Sequence, residues 1–169
     1  MLTLKRIKEA ELNVKQYLDE GLIKKQEFNQ DIFNTLIQNS DESLEEAQRA
    51  KSSLWIIVMS YYSMFYLVNA VLLTLNYKIG DKIVHKVTSE ALIVFIRNKL
   101  NKELIENYET IQSNALSGTR TDELIKYYEF EKHKRSLFQY STSERAKMNK
   151  AKTSLQRSKE FIFEMKKLI

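Results

Sequence analysis

The chain contains no proline, no cysteine and only three glycines among its 169 residues. Sheet folds place Gly and Pro in their many tight turns, so this scarcity argues against a strand-and-turn architecture. The absence of cysteine excludes disulfides and thiolate metal sites and suits a reducing cytoplasm. With only two histidines as well, no metal site is expected, and no cofactor is implied. There is no Gly-rich phosphate loop, no Gly-x-Ser-x-Gly elbow and no His-Glu-x-x-His. The opening stretch MLTLKRIKEAELNVKQYLDE carries acidic side chains throughout and no apolar core. A secretory signal is therefore not expected, and the expected location is cytoplasmic.

What is present is helical material in a length that suits one domain over residues 1–169. The net charge of +5 is unevenly spread. Residues 1–50 carry seven basic and ten acidic side chains, and residues 51–131 carry nine of each. Residues 132–169 carry eleven basic and three acidic ones. A C-terminal quarter this basic fits an anionic partner such as nucleic acid, or else a solvated helix face.

Apolar residues recur at helical spacing almost everywhere, and the glycines punctuate the pattern. Leu4, Ile7, Val14, Tyr17 and Leu18 predict a first helix that stops at Gly21. Phe28, Ile32, Phe33, Leu36, Ile37, Leu44 and Ala47 predict a second, reaching about residue 50. A shorter helix is predicted over about 84–99, and the pattern continues through 102–115 before Gly118. It resumes over 124–130 towards Arg135. Ser141 and Glu144 form a Ser-x-x-Glu capping box, so a last helix should start right after Tyr140. Its stripe of Met148, Ala151, Leu155, Ser158, Ile162, Met165 and Ile169 leaves a basic outer face.

Residues 52–77 contain no charge. That exceeds the roughly 20 residues needed to cross a bilayer. Against a span, Ser60, Tyr61, Tyr62, Ser63, Tyr66 and Asn69 cluster at what would be mid-membrane. A helix apolar all round is also what the centre of a soluble bundle requires. The expectation is a buried central helix and no membrane partner.

The order of these pieces resembles the HEPN family. An amphipathic helix (DIFNTLIQNSDESLEEAQRA) leads into a central helix carrying SYYSMFYLVNAVLL. A short helix with a glycine and a histidine follows (IGDKIVHKVTSEALIVF), then the Arg-x4-Tyr of RSLFQY and a basic last helix. The resemblance covers roughly residues 28–168. It implies a small all-α domain of prokaryotic toxin–antitoxin and other conflict systems. The fold implied is an up-and-down bundle of four or five main helices over 22–169, with 1–21 as an added N-terminal helix. It also implies a homodimer and a nucleotidyltransferase-type partner protein. Active members place an Arg and a following His in a cleft between protomers and cleave RNA without metal. The ribose 2′-hydroxyl attacks the adjacent phosphate, His moves a proton, and Arg steadies the phosphate charge.

Arg135 matches the family Arg, while Tyr140 stands where the family has His. A phenol with a pKa of about 10 is a poor base at neutral pH. His133 precedes Arg135 by two positions, roughly 200° around a helix, and cannot simply replace the missing His. His85 reaches such a cleft only through the fold or a dimer partner. Tyr61 and Tyr62 point about 100° apart, so that one suits the core and the other a groove; Tyr62 is the cleft candidate. Arg135, Lys147, Lys150 and Arg157 are the candidate RNA or phosphate ligands. Two functions follow from the resemblance: an RNA- or nucleotide-binding scaffold subunit, and a metal-independent ribonuclease using Arg135 and Tyr140.

Overall fold

Short polar side chains set the starts of the first two helices. In the computed structural model, which describes residues 1–118 and 141–169, α1 (Leu4–Asp19) opens on Thr3, whose hydroxyl accepts the Arg6 amide. Asn29 caps α2 (Gln30–Arg49) in the same way, accepting the Ile32 amide at 2.9 Å. Each cap satisfies an amide that the helix itself leaves unpaired. α3 (Ser53–Thr74) stops before Asn76, which turns left-handed at φ 63°. α4 (Val84–Ala91) continues through a π turn, Leu92–Ile96, and a 3-10 turn, Arg97–Lys99. α5 (Lys102–Gly118) and α6 (Ser141–Lys166) complete the described helices. The predicted resumption over 124–130 lies outside the described residues.

The architecture is an all-α bundle with one small addition. β1 (Ile23–Lys25) and β2 (Tyr77–Ile79) pair antiparallel, with Ile23 opposite Ile79 and Lys24 opposite Lys78. This ribbon was not expected from the sequence, because three-residue strands are too short to show an alternating period. Gly21, at φ 71°, makes the turn out of α1 that brings β1 into place. At the far side Gly80 donates its amide to Leu22 at 2.8 Å, and a side chain there would crowd the Leu22 carbonyl.

α3 is the axis, packed by α2, α5 and α6. Among the described residues it alone is long and apolar enough to cross a membrane, yet 72% of its most apolar window is buried inside the bundle. Several of its mid-helix polar groups find internal partners, although the buried Ser60 hydroxyl has none among the described residues. The Ser40 hydroxyl of α2 donates to the Ser63 carbonyl at 2.7 Å, and Ser63 donates to the Ser60 carbonyl at 2.8 Å. On α6 the small side chains of Ala151, Ser154 and Ser158 are buried, followed by Phe161, Ile162 and Met165. Small residues here let the helices approach closely, which is how so uncharged a helix becomes a core.

α1 docks on α4 and its π turn, burying Ala10, Val14 and Tyr17. Arg6 fastens it with Nη1 2.7 Å from Glu90 and Nη2 2.9 Å from Glu109. The Leu2 amide donates to Glu106 at 2.7 Å, and that bond holds the Glu106 carboxyl below its ordinary pKa. The added N-terminal helix is thus bonded to two other helices.

Candidate functional site

Two surfaces carry the chemistry that the sequence singled out. The first is α6. Successive residues advance about 100° around a helix, so positions seven apart nearly eclipse. Arg145, Lys152 and Lys159 form such a row, and the exposed Phe163 falls on the same face. None of these three cations has an ion-pair partner among the described residues, whereas Lys147 pairs with Glu144 and Lys166 with Asp41. Lys150 and Arg157, also without an ion-pair partner among the described residues, lie on another flank. Lys147 sits in line with the buried stripe, a turn before it begins at Ala151. The sequence reading chose Lys147, Lys150 and Arg157. The outward row of Arg145, Lys152 and Lys159 was detectable in principle from its seven-residue spacing.

The second surface joins α3, α4 and α5 around His85. Tyr61 is fully buried, and its hydroxyl lies 2.8 Å from His85 Nδ1. Gln112 Nε2 donates to the Tyr61 hydroxyl at 3.2 Å and to the His85 carbonyl at 2.7 Å. Because Gln112 can only donate there, the Tyr61 proton is free to go to Nδ1. Neutral His85 then carries its own proton on Nε2. Burial lowers the His85 pKa below its ordinary value, so the imidazole is neutral at pH 7. Burial also raises the Tyr61 phenol far above its ordinary range, partly opposed by the Gln112 bond. The fully buried Tyr108 phenol is raised for the same reason. Tyr108 is coupled electrostatically to Tyr61, but its hydroxyl meets hydrogen-bond geometry with no described group.

The aromatic surroundings of His85 are dense. Its ring centroid lies 5.0 Å from Phe65 and 5.7 Å, edge-on, from Tyr62. Tyr62 is half-buried, so of the adjacent pair Tyr61 takes the core and Tyr62 the groove. The structure therefore brings the cleft candidates Tyr62 and His85 together. It also enlists Gln112, to which no sequence signal pointed. Tyr62 opens onto a groove of about 510 Å³ between α2 and α3, rimmed by Glu42 and Glu46. That acidic rim disfavours phosphate, so α6 is the better anion surface.

His133, Arg135 and Tyr140 lie outside the described residues. Among the described residues no group of His, Asp and Glu side chains is arranged to hold a metal ion. Compared with family models, curated proteins and solved structures, the chain matches none.

Proposed function

We propose that the chain is an HEPN-like, RNA- or nucleotide-binding component of a prokaryotic conflict system of the toxin–antitoxin type. In this reading it is a binding or scaffold subunit, a cytoplasmic homodimer that works with a nucleotidyltransferase-type partner. The observation that carries it is the outer face of α6. Arg145, Lys152 and Lys159 stand in one row above a buried apolar stripe, with the Phe163 ring 65% exposed beside them. A cationic track with an accessible aromatic suits single-stranded nucleic acid, because phosphates follow the charges and a base stacks on the ring. Tyr140 in place of the family His favours binding over cleavage, since a phenol is a poor base at neutral pH.

The test is single-stranded RNA binding measured across salt concentrations. Affinity should fall steeply with salt, and reversing Arg145, Lys152 and Lys159 should flatten that slope by about 2. Reversing Lys147, Lys150 and Arg157 should weaken binding less. Affinity that ignores both salt and the reversals would leave α6 as a solvated face. EDTA-resistant cleavage by wild type that vanishes in Arg135→Ala would replace binding with ribonuclease activity. Sedimentation at twice the 20.0 kDa chain mass checks the homodimer.

A further inference from the structure

A cavity of about 190 Å³ opens between the start of α2, the second half of α3 and β2. It is not lined by α6 or by His85, and it is independent of the RNA reading. Its walls hold the rings of Phe65, Tyr66 and Tyr77 beside aliphatic side chains of α2 and α3, and the rings contact one another or rings behind them. Tyr77 stacks on Phe95 with ring centroids 4.3 Å apart and planes 16° apart. Phe65 is braced by Tyr66 at 5.6 Å and by His85 at 5.0 Å. Walls already held in place lose little freedom when a ring enters between them. Drug-sized ligands occupy roughly 300–1,000 Å³. A space below that range suits a single aromatic side chain.

The polar groups narrow the choice. Asn69 Nδ2 donates to the Phe65 carbonyl at 2.8 Å and approaches the Thr88 hydroxyl at 3.4 Å. A carbonyl can only accept, so this bond fixes which end of the amide is nitrogen. Asn69 lines the cavity, and its Oδ1 accepts no hydrogen bond from a described group, so it is a free acceptor. At the solvent edge stand Lys78 and Asp81, both exposed and both lining the cavity. They make no ion pair with each other or with another described residue, so the lining includes one unpaired charge of each sign. A phosphate would suit the lysine and be repelled by the aspartate. A zwitterion suits both, with its carboxylate on Lys78 and its ammonium on Asp81.

We propose that this cavity binds a free aromatic α-amino acid whose side chain donates a hydrogen bond, namely tyrosine or tryptophan. The ring lies between the aromatic walls, its O–H or N–H donates to Asn69 Oδ1, and its charged head group bridges Lys78 and Asp81.

Calorimetric titration of the full chain with L-tyrosine, L-tryptophan, L-phenylalanine, tyramine, tryptamine and adenosine monophosphate tests the proposal. Tyrosine or tryptophan should bind with one-to-one stoichiometry. Phenylalanine, lacking the donor, and the two amines, lacking the carboxylate, should each bind about tenfold more weakly. Leu36→Trp, which fills the cavity from α2, should abolish binding. Lys78→Gln and Asp81→Asn, both at exposed positions that leave folding intact, should each weaken it about tenfold. The proposal is overturned if neither amino acid binds at millimolar concentration, or if tyramine and tryptamine bind as tightly as their parents. Binding that survives both edge variants unchanged, or adenosine monophosphate displacing the amino acid, overturns it equally.

Discussion

The Tyr61 hydroxyl sits 2.8 Å from His85 Nδ1, and one side chain, Gln112, donates to that hydroxyl and to the His85 carbonyl. Three helices therefore meet in a single hydrogen-bonded unit whose buried member is a phenol. Removing only the hydroxyl, by Tyr61→Phe, keeps the ring packing and strips His85 Nδ1 of its partner. Unfolding in urea should show a loss of about 1–2 kcal/mol with an unchanged m-value.

His85 should also give the protein an acid-side weakness. Its folded pKa is depressed by burial, while the unfolded chain keeps the ordinary value of about 6.5. Below about pH 6.5 the unfolded state binds more protons at this site than the folded state, so stability falls as pH drops. The loss ends once the pH passes below the folded pKa. His85→Asn keeps an acceptor near Tyr61 without the titration. Stability measured against pH should decline less steeply in this variant across that window, and an NMR titration of wild type should place His85 below 6.5.

The Arg6 cluster should behave as a buried charge network. Glu90 has a side chain only 5% exposed, and Arg6 is its 2.7 Å partner. Arg6→Met leaves that carboxylate without a cation and should cost about 3 kcal/mol. The double variant Arg6→Met with Glu90→Leu should recover part of the loss, because the unpaired charge is gone as well. A double variant less stable than Arg6→Met alone would contradict this account.

Ile83 takes φ 43° and ψ 36° immediately before α4, and the residue is 56% exposed. A β-branched residue in the left-handed region is strained by roughly 1–2 kcal/mol. Little apolar burial is lost on truncation here. Ile83→Gly should therefore raise stability, by about 1 kcal/mol in chemical denaturation.

The helices were legible because their apolar spacing is long and regular. α3 could be read as a core helix because Ser60, Tyr61, Tyr62, Ser63, Tyr66 and Asn69 cluster at its middle; in the structure Tyr61 bonds His85 of α4, while Ser63 and Asn69 bond carbonyls of α3 itself. Tyr61 and Tyr62 could be assigned to different surfaces, with Tyr62 as the cleft candidate, but the sequence did not show that Tyr61 would bond His85. Contacts closed over long separations left no local trace. Arg6 meets Glu109 across 103 positions and Gln112 meets Tyr61 across 51. The basic last helix was legible as a charge excess. Which of its cations share a row follows from the seven-residue spacing of Arg145, Lys152 and Lys159, and packing of Ala151, Ser154, Ser158, Phe161, Ile162 and Met165 turns that row outward.

The irregular winding after α4 has a further consequence. The π turn carries a side-chain bond on its backbone: the Ile93 carbonyl receives Arg97 Nη1 at 2.9 Å. The same guanidinium reaches Glu11 of α1 at 3.0 Å. Letting go of α1 thus removes the outer anchor of the group that supports the π turn, and the two segments should open as one cooperative unit. In hydrogen–deuterium exchange, amides of residues 4–19 and 92–99 should share one opening free energy, well below that of α3, and Glu11→Gln should speed both together.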